Sequence, residues 1–136
     1  MIKSAKLGKE IVVTVVNKIG VLADISKLIA DHGVNIVAVA GYADQANNAK
    51  IMLISEDSLR TLEALKKSGY SSAVEKETII LELENRPGAL KDITAKLAKE
   101  GIDIKQVYGT TCAHDCPATM VISTSDNAKA LVAFKK

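Results

Sequence analysis

There is no tryptophan in this sequence, and three tyrosines and one phenylalanine bring the aromatic fraction to only 3%. Proteins that read RNA on a sheet surface stack bases on several exposed rings, so this scarcity argues against nucleic acid as a partner. A strong charge of either sign is also missing: 18 basic and 16 acidic side chains leave a formal net charge of +2. Arg60 and Arg86 are the only arginines, and the lysines are scattered rather than bunched, which provides no field for gripping a polyanion. Hydrophobic residues make up 48% of the 136 positions, yet no run approaches the roughly 20 apolar residues of a membrane-spanning helix. The opening MIKSAKLGKE has no apolar signal core, and two cysteines are too few for a disulfide framework. The expectation is a cytoplasmic protein without a membrane partner.

Catalytic signatures are equally sparse. The two histidines, His32 and His114, have no nucleophile and orienting partner nearby in any recognisable pattern, and there is no phosphate loop or dinucleotide fingerprint. His32 falls in the last turn of a predicted helix, and Asp24 and Asp92 fall near helix starts, where each complements the helix dipole without any catalytic role. These absences predict a protein that is not an enzyme and needs no cofactor.

What the sequence does contain is itself, twice. A shift of 68 residues superposes Asn17, Gly20, Leu22, Asp24 and Ile25 on Asn85, Gly88, Leu90, Asp92 and Ile93. The same shift brings Gly33, Ile36, Val39, Gly41 and Met52 onto Gly101, Ile104, Val107, Gly109 and Met120. This is a tandem duplication without a linker, and it predicts one domain over residues 1–68 and another over 69–136.

Both copies follow one pattern. EIVVTVV (10–16) and TIILELE (78–84) have the β-branched or alternating character of strands. Leu22, Ile25, Leu28 and Ile29, and Leu90, Ile93 and Leu97, recur at helical spacing, and each helix stops at a glycine, Gly33 or Gly101. Second strands follow in VNIVAVAGY and IDIKQVYGT, and third strands in KIMLIS and ATMVIS. A second helix is predicted in each copy, with apolar positions Leu59, Leu62 and Leu65, or Ala128, Leu131 and Phe134. YSSAVE (70–75), with its shifted counterpart IKSAKL (2–7), supplies one short strand per copy. The order βαββαβ predicts two ferredoxin-like α+β sandwiches, each an antiparallel four-stranded sheet with two helices on one face.

The turn between first strand and first helix is unusually particular. It reads Asn17-Lys18-Ile19-Gly20-Val21-Leu22 in one copy and Asn85-Arg86-Pro87-Gly88-Ala89-Leu90 in the other. A helix beginning after the glycine leaves its first N–H groups unpaired at the positive end of the helix dipole, which favours a carboxylate. Pro87 suits a helix start, and the asparagine amide can meet either an ammonium or a carboxylate. Alternatively, the asparagines and glycines simply turn the chain. The turn Asn-x-x-Gly-x-Leu, followed by GVNI (33–36) or GIDI (101–104), resembles the ACT domain, a family of small-molecule sensing modules whose usual ligands are amino acids.

That resemblance implies an L-amino acid ligand, a regulatory role without catalysis, side-by-side pairing of domains about a pseudo-two-fold axis, and a homodimer acting on a regulated enzyme or transcription partner. It further implies that each ligand lies between the turn of one repeat and the second strand of the other. One site would join Asn85, Arg86, Pro87, Gly88, Ala89 and Leu90 to Asn35 and Ile36. The second would join Asn17, Lys18, Ile19, Gly20, Val21 and Leu22 to Asp103 and Ile104. This second site departs from the family pattern at Ile19, where proline is usual, and at Asp103, where asparagine is usual. Asp103 either repels the ligand carboxylate or holds its ammonium.

Two further features stay open. Cys112, His114 and Cys116 in CAHDC have donor chemistry suited to zinc, although their spacing is not that of the common zinc fingers, and the alternatives are a redox-responsive pair or an exposed loop with two reduced thiols. Neither NKIG nor NRPG holds a cysteine, so a soft-metal carrier with ligands in the first loop is excluded. The strands at 2–7 and 70–75 either fold back as hairpins within their own copy, with Gly8 as one turn, or cross to the other copy. The absence of a turn signal in VEKET favours the crossing.

Overall fold

The computed structural model describes residues 2–113 and 115–135. In chain order its elements are β1 (Ile2–Val16), α1 (Val21–Asp31), β2 (Ile36–Ala43), β3 (Asn48–Ser55), α2 (Ser58–Lys67), β4 (Val74–Leu83), α3 (Ala89–Lys99), β5 (Ile104–Thr110), β6 (Ala118–Thr124) and α4 (Asn127–Phe134). The chain divides into two compact units, one of residues 9–76 and one that combines residues 2–8 with residues 77–135.

In the unit of residues 9–76 the strands lie in the order β2-β3-β1. β1 runs antiparallel to β3, from Ile11 opposite Leu53 to Val16 opposite Asn48. β2 runs antiparallel to the other side of β3, with an irregularity between Ile36 and Ala38. Alternation along the strands sends Ile11, Val13, Ile51 and Leu53 to one face, where they meet Val21, Ile25 and Ile29 of α1 and Leu65 of α2. The helix positions that fill this core are i, i+4 and i+8, one side of an α-helix.

The second unit repeats the plan. Its strands follow the order β4-β6-β5, with Ile79 opposite Ile122 and Leu83 opposite Ala118. Ile79, Leu81, Leu83 and Ile122 pack on Ala89, Ile93 and Leu97 of α3 and on Ala130 and Phe134 of α4, and Ile2 and Ala5 of β1 close the margin of this core. Each unit is thus an α+β sandwich of ferredoxin-like type, with two helices on one face of an antiparallel sheet.

Several expectations need correction. Eight strands were expected and six form among the described residues; residues 2–7 and 10–16 are parts of one strand, β1, which accounts for one of the two missing. Gly8 is not a turn: it lies within β1, and a Cβ there would come within 2.5 Å of Ile80 Cδ1, so glycine permits close packing between strands. Likewise 74–75 runs straight on into 78–83 as β4, while 70–73 is a turn rather than a strand. In that turn Ser72 Oγ accepts a hydrogen bond from Thr14 N at 3.1 Å and donates to Thr14 O at 2.6 Å, taking the place of a backbone ladder. Leu59 is exposed, as is Ala128, because the buried faces of α2 and α4 run through Thr61, Ala64 and Leu65, and through Ala130, Ala133 and Phe134. Leu22 and Leu90, at 50% and 49% exposure, also lie outside the core. Their neighbours Val21 and Ala89 take the inward positions.

The four helices of the described residues start in two ways. Asp57 and Asp126 cap α2 and α4 in the ordinary manner, each side chain accepting from the N–H three residues on, Arg60 N and Lys129 N. By contrast α1 and α3 start at Gly20 and Gly88, with φ of 89° and 87°, and neither has a side-chain cap. Only glycine adopts that left-handed conformation without strain.

Gly88→Ala has only Arg86 Nη1, at 3.7 Å, as a neighbour for the new methyl, so its cost is backbone strain alone, about 1–2 kcal/mol. Urea unfolding would reveal it, and an unchanged midpoint would show that the turn relaxes. Deleting residues 1–7 removes Ile2 and Ala5 from the second core and no residue from the first. Amide exchange should therefore accelerate at Ile79, Leu81 and Leu97 while Ile11, Leu53 and Leu65 keep their protection. Equal acceleration in both sets would contradict this.

Candidate functional site

The two Asn-x-x-Gly turns are built alike. Val21 N donates to Lys18 O at 3.2 Å, and the first α-helical bond of α1 is Asp24 N to Gly20 O at 2.9 Å. The corresponding bonds in the other unit are Ala89 N to Arg86 O at 3.3 Å and Asp92 N to Gly88 O at 3.0 Å. Between them, Leu22 and Ala23 in one unit, and Leu90 and Lys91 in the other, have N–H groups with no backbone acceptor among the described residues. A helix start of this kind carries partial positive charge and presents donors outward.

Each turn is clasped by the loop that joins the second and third strands of its own unit. Asn17 N donates to Asn47 O at 2.8 Å, Asn17 Nδ2 reaches Asn47 Oδ1 at 3.5 Å, and Asn47 Nδ2 donates to Asn17 O at 3.3 Å. Asn47 adopts a positive φ of 60°, a conformation that asparagine tolerates better than most residues. In the other unit Asn85 Nδ2 donates to Cys112 O at 3.2 Å. Sequence reasoning had no means of finding Asn47 or the Cys112 carbonyl, since these contacts span 30 and 27 residues and the second involves only backbone on the loop side.

At the Asn17 turn this arrangement leaves a cavity of about 260 Å³. Asn17, Val21 and Leu22 of the turn and Val39, Ala40, Gly41 and Tyr42 of β2 line it, with Ala49 and Ile51 of β3. The half-exposed Leu22 therefore faces a cavity instead of the core. Lys18 and Ile19 are exposed, Ile19 fully.

Arg86, in the other turn, is occupied by partners of its own unit. Its guanidinium reaches Glu84 Oε2 at 3.2 Å and Asp92 Oδ2 at 3.0 Å and donates to Pro87 O at 3.2 Å. The hydrogen bond from Arg86 holds the Asp92 carboxyl below its ordinary value, and Asp92 in turn raises the guanidinium. Because the folded pKa is depressed, any stabilisation from Asp92 is present at neutral pH and lost on acidification through its folded pKa. The pair is exposed, so the effect is small.

A broad, open cleft of about 1020 Å³ lies beside this turn, between residues 2–5 of β1, α3 and the end of α4. Lys3, Lys91, Lys96, Lys99 and Lys135 ring it with Arg86, and Asp92 is the acidic group among them.

The second-strand candidates lie elsewhere in each unit. Asn35 and Ile36 belong to the unit of Asn17 but sit at the far end of its sheet, where Ile36 pairs with Ser55, while Asn17 adjoins the end where Val16 pairs with Asn48. Asn35 Nδ2 donates to Glu56 Oε1 at 3.3 Å. Asp103 and Ile104 lie in the unit of Asn85, again at the opposite end, with Ile104 across from Thr124. Asp103 is paired with Lys105 Nζ at 2.8 Å, and its N–H donates to Ser125 Oγ at 3.1 Å.

CAHDC is not a pair of reduced thiols. Cys112 and Cys116 form a disulfide with a Cα–Cα distance of 5.6 Å, within the range such bonds require. Disulfide sulfurs are not thiolates and offer zinc no ligand in this form. His114 lies outside the described residues, and among the described residues no group of three or more His, Cys, Asp or Glu could hold a metal ion. No described helix is long and apolar enough to cross a membrane.

Several solved structures share this fold. Protein BT0572 from Bacteroides thetaiotaomicron has a similar solved structure, with a TM-score of 0.81 and 24% identity over 96% of this chain and 88% of that one. The ligand-free regulatory subunit of aspartate kinase from Thermus thermophilus aligns with a TM-score of 0.68 and 13% identity, covering 98% and 96% of the two chains. The regulatory subunit of aspartate kinase from Thermus flavus aligns with a TM-score of 0.62 and 14% identity over 97% and 94%. At these identities the likeness concerns the fold. No curated protein matches the sequence. A family model described as an ACT domain pair matches residues 8–135, nearly the whole chain including both Asn-x-x-Gly turns, and the chain therefore belongs to the ACT domain family.

Proposed function

We propose that this chain is a non-catalytic regulatory module that binds an L-amino acid at its Asn-x-x-Gly turns and transmits occupancy to a regulated enzyme or transcription partner, acting as a cytoplasmic homodimer. One observation carries the reading. Of the four helices among the described residues, α2 and α4 are capped by their own aspartates, whereas α1 and α3 start uncapped behind an asparagine turn. Such a start accepts the α-carboxylate on its N–H groups, and the asparagine side chain can meet either end of the zwitterion. Membership of the ACT family supports amino acids as the class. The apolar lining of the cavity at the Asn17 turn favours a small aliphatic side chain there.

The residues assigned to this role are Asn85, Gly88, Ala89 and Leu90 in one turn and Asn17, Gly20, Val21 and Leu22 in the other. Arg86 and Pro87, and Lys18 and Ile19, shape the turns. The family resemblance adds Asn35 with Ile36, and Asp103 with Ile104, as contributors from the second strands.

A thermal-shift screen of the twenty L-amino acids should find one or a few that raise the melting temperature, since ligands that bind the native state stabilise it by mass action. Asn85→Ala should reduce that shift without unfolding the protein, and Asn35→Ala tests the second-strand contribution. No shift by any amino acid at millimolar concentration would remove the basis of the proposal.

The two turns are expected to bind unequally. Pro87 presets the backbone of one turn, whereas Ile19 occupies the equivalent position in the other. Asp103 adds an anion to the set assigned to the Asn17 turn, and Lys105 compensates that charge in part. Calorimetry should show the Asn85 turn filling first, so that Asn85→Ala removes the tighter phase and Asn17→Ala the weaker one. A single class of two identical sites per chain would contradict this.

A further inference from the structure

We infer that Cys112 and Cys116 form a reversible redox site that sets the geometry of the Asn85 turn, and so the affinity of that turn for its amino acid. The second clause rests on the function proposed above; the first does not.

Three observations converge on this loop. The disulfide closes a ring across a sequence separation of only four residues. So short a ring constrains little of the unfolded chain, which makes it a poor structural staple. Cys112 and Cys116 are both exposed, as are Ala113 and Asp115 between them, so a thiolate can reach the bond. Finally, the ring is attached to the ligand turn, because the Cys112 carbonyl accepts the Asn85 side-chain amide at 3.2 Å. Exposed disulfides are the labile and regulatory ones as a class.

The local geometry also gives the two sulfurs different roles. Cys116 N–H points at Cys112 Sγ, 3.2 Å away, and would stabilise a thiolate on that sulfur. Cys112 is therefore the better leaving group, and an incoming thiolate attacks Cys116 Sγ. The S–S bond breaks, its electron pair leaves on Cys112 Sγ, and a mixed disulfide forms at Cys116. The second thiol of a dithiol reductant then attacks its own sulfur in that mixed disulfide and releases Cys116 as a thiolate. The net reaction transfers two electrons and two protons: the protein disulfide becomes two thiols while the dithiol becomes a disulfide. The co-reactant is thus a dithiol of small-molecule or protein type.

The duplication provides an internal control. In both units the loop between second and third strands clasps the asparagine turn, but the clasp at Asn17 is made by Asn47. Residues 44–48, the shifted counterparts of 112–116, read Asp-Gln-Ala-Asn-Asn and hold no cysteine. Redox control therefore acts on one turn of the pair. With the ring closed, the Cys112 carbonyl is held in place and the Asn85 amide is fixed in orientation. Opening the ring frees the loop and loosens that amide, so the oxidised form is the tighter binder through preorganisation.

The test uses the full chain equilibrated in mixtures of reduced and oxidised dithiothreitol and followed by NMR. The Asn85 side-chain amide and the Leu90 and Lys91 backbone amides should move with the redox state and return on reoxidation, while Asn17 and Leu22 stay still. A Cys112→Ser, Cys116→Ser double variant should show the reduced-form spectrum at these positions under all conditions. Unchanged Asn85 resonances, or reduction only with global unfolding, would overturn the redox coupling. Calorimetry with the amino acid of largest thermal shift then compares both forms, and the oxidised protein should bind at the Asn85 turn about fivefold or more tightly. Equal or reversed affinities would overturn the link to binding. Failure of every amino acid to bind either form would instead sink the ligand reading and leave the NMR result to decide the redox site alone.

Discussion

Packing of two amphipathic helices on one face of an antiparallel sheet is the interaction on which this protein rests, and it imposes a demand on sheet width. In each unit three strands cover most of the helix pair, and a further segment must close the margin of the core. Ile2 and Ala5 at the start of β1 meet that demand in one unit, and Tyr70 and Ala73, which follow α2, meet it in the other. Gly8 stays extended within β1, and its small size admits Ile80 of β4. A polar residue buried in such a setting needs a partner, and Thr78 of β4 donates its hydroxyl to Ile122 O at 3.0 Å.

A different economy governs the helix ends. An aspartate side chain takes one first-turn N–H in each of α2 and α4, Arg60 N and Lys129 N, and places its own negative charge at the positive end of the helix. At Gly20 and Gly88 the chain enters the helix through a left-handed residue and brings no side-chain acceptor. A rigid sheet and buried helix face then hold the open donors in position. The function proposed for the chain uses these two uncapped starts, where an asparagine and a glycine form the turn.

The duplicated halves have kept this device and altered its surroundings. Around Asn17 the clasp is asparagine on asparagine, and the adjoining cavity is apolar. Around Asn85 the clasp is a backbone carbonyl inside a disulfide ring, and Arg86 ties the turn to Glu84 and Asp92. Equivalent backbones therefore carry chemically different surroundings, and of the two turns the one at Asn85 adjoins a disulfide.

Much of the secondary structure was legible because its signals are local. The strand period of two in TIILELE and the helical spacing of Ile25 and Ile29, or Ile93 and Leu97, depend only on neighbours in sequence. The duplication placed the same elements twice and pointed to the asparagine turns and the family. Other features were decided by tertiary structure. Leu22, Leu90, Leu59 and Ala128 fit an apolar pattern yet face outward, since which side of a helix is buried depends on where the sheet lies. The turn at 70–73 looked like a strand until Ser72 bonded to Thr14, 58 residues away. Cys112 read as a metal ligand, a redox-responsive thiol or a free thiol in an exposed loop, and the loop geometry brings it to Cys116 and its carbonyl to Asn85. Periodicity is written along the chain, whereas the direction of a face and the partner of a carbonyl exist only once distant segments have packed.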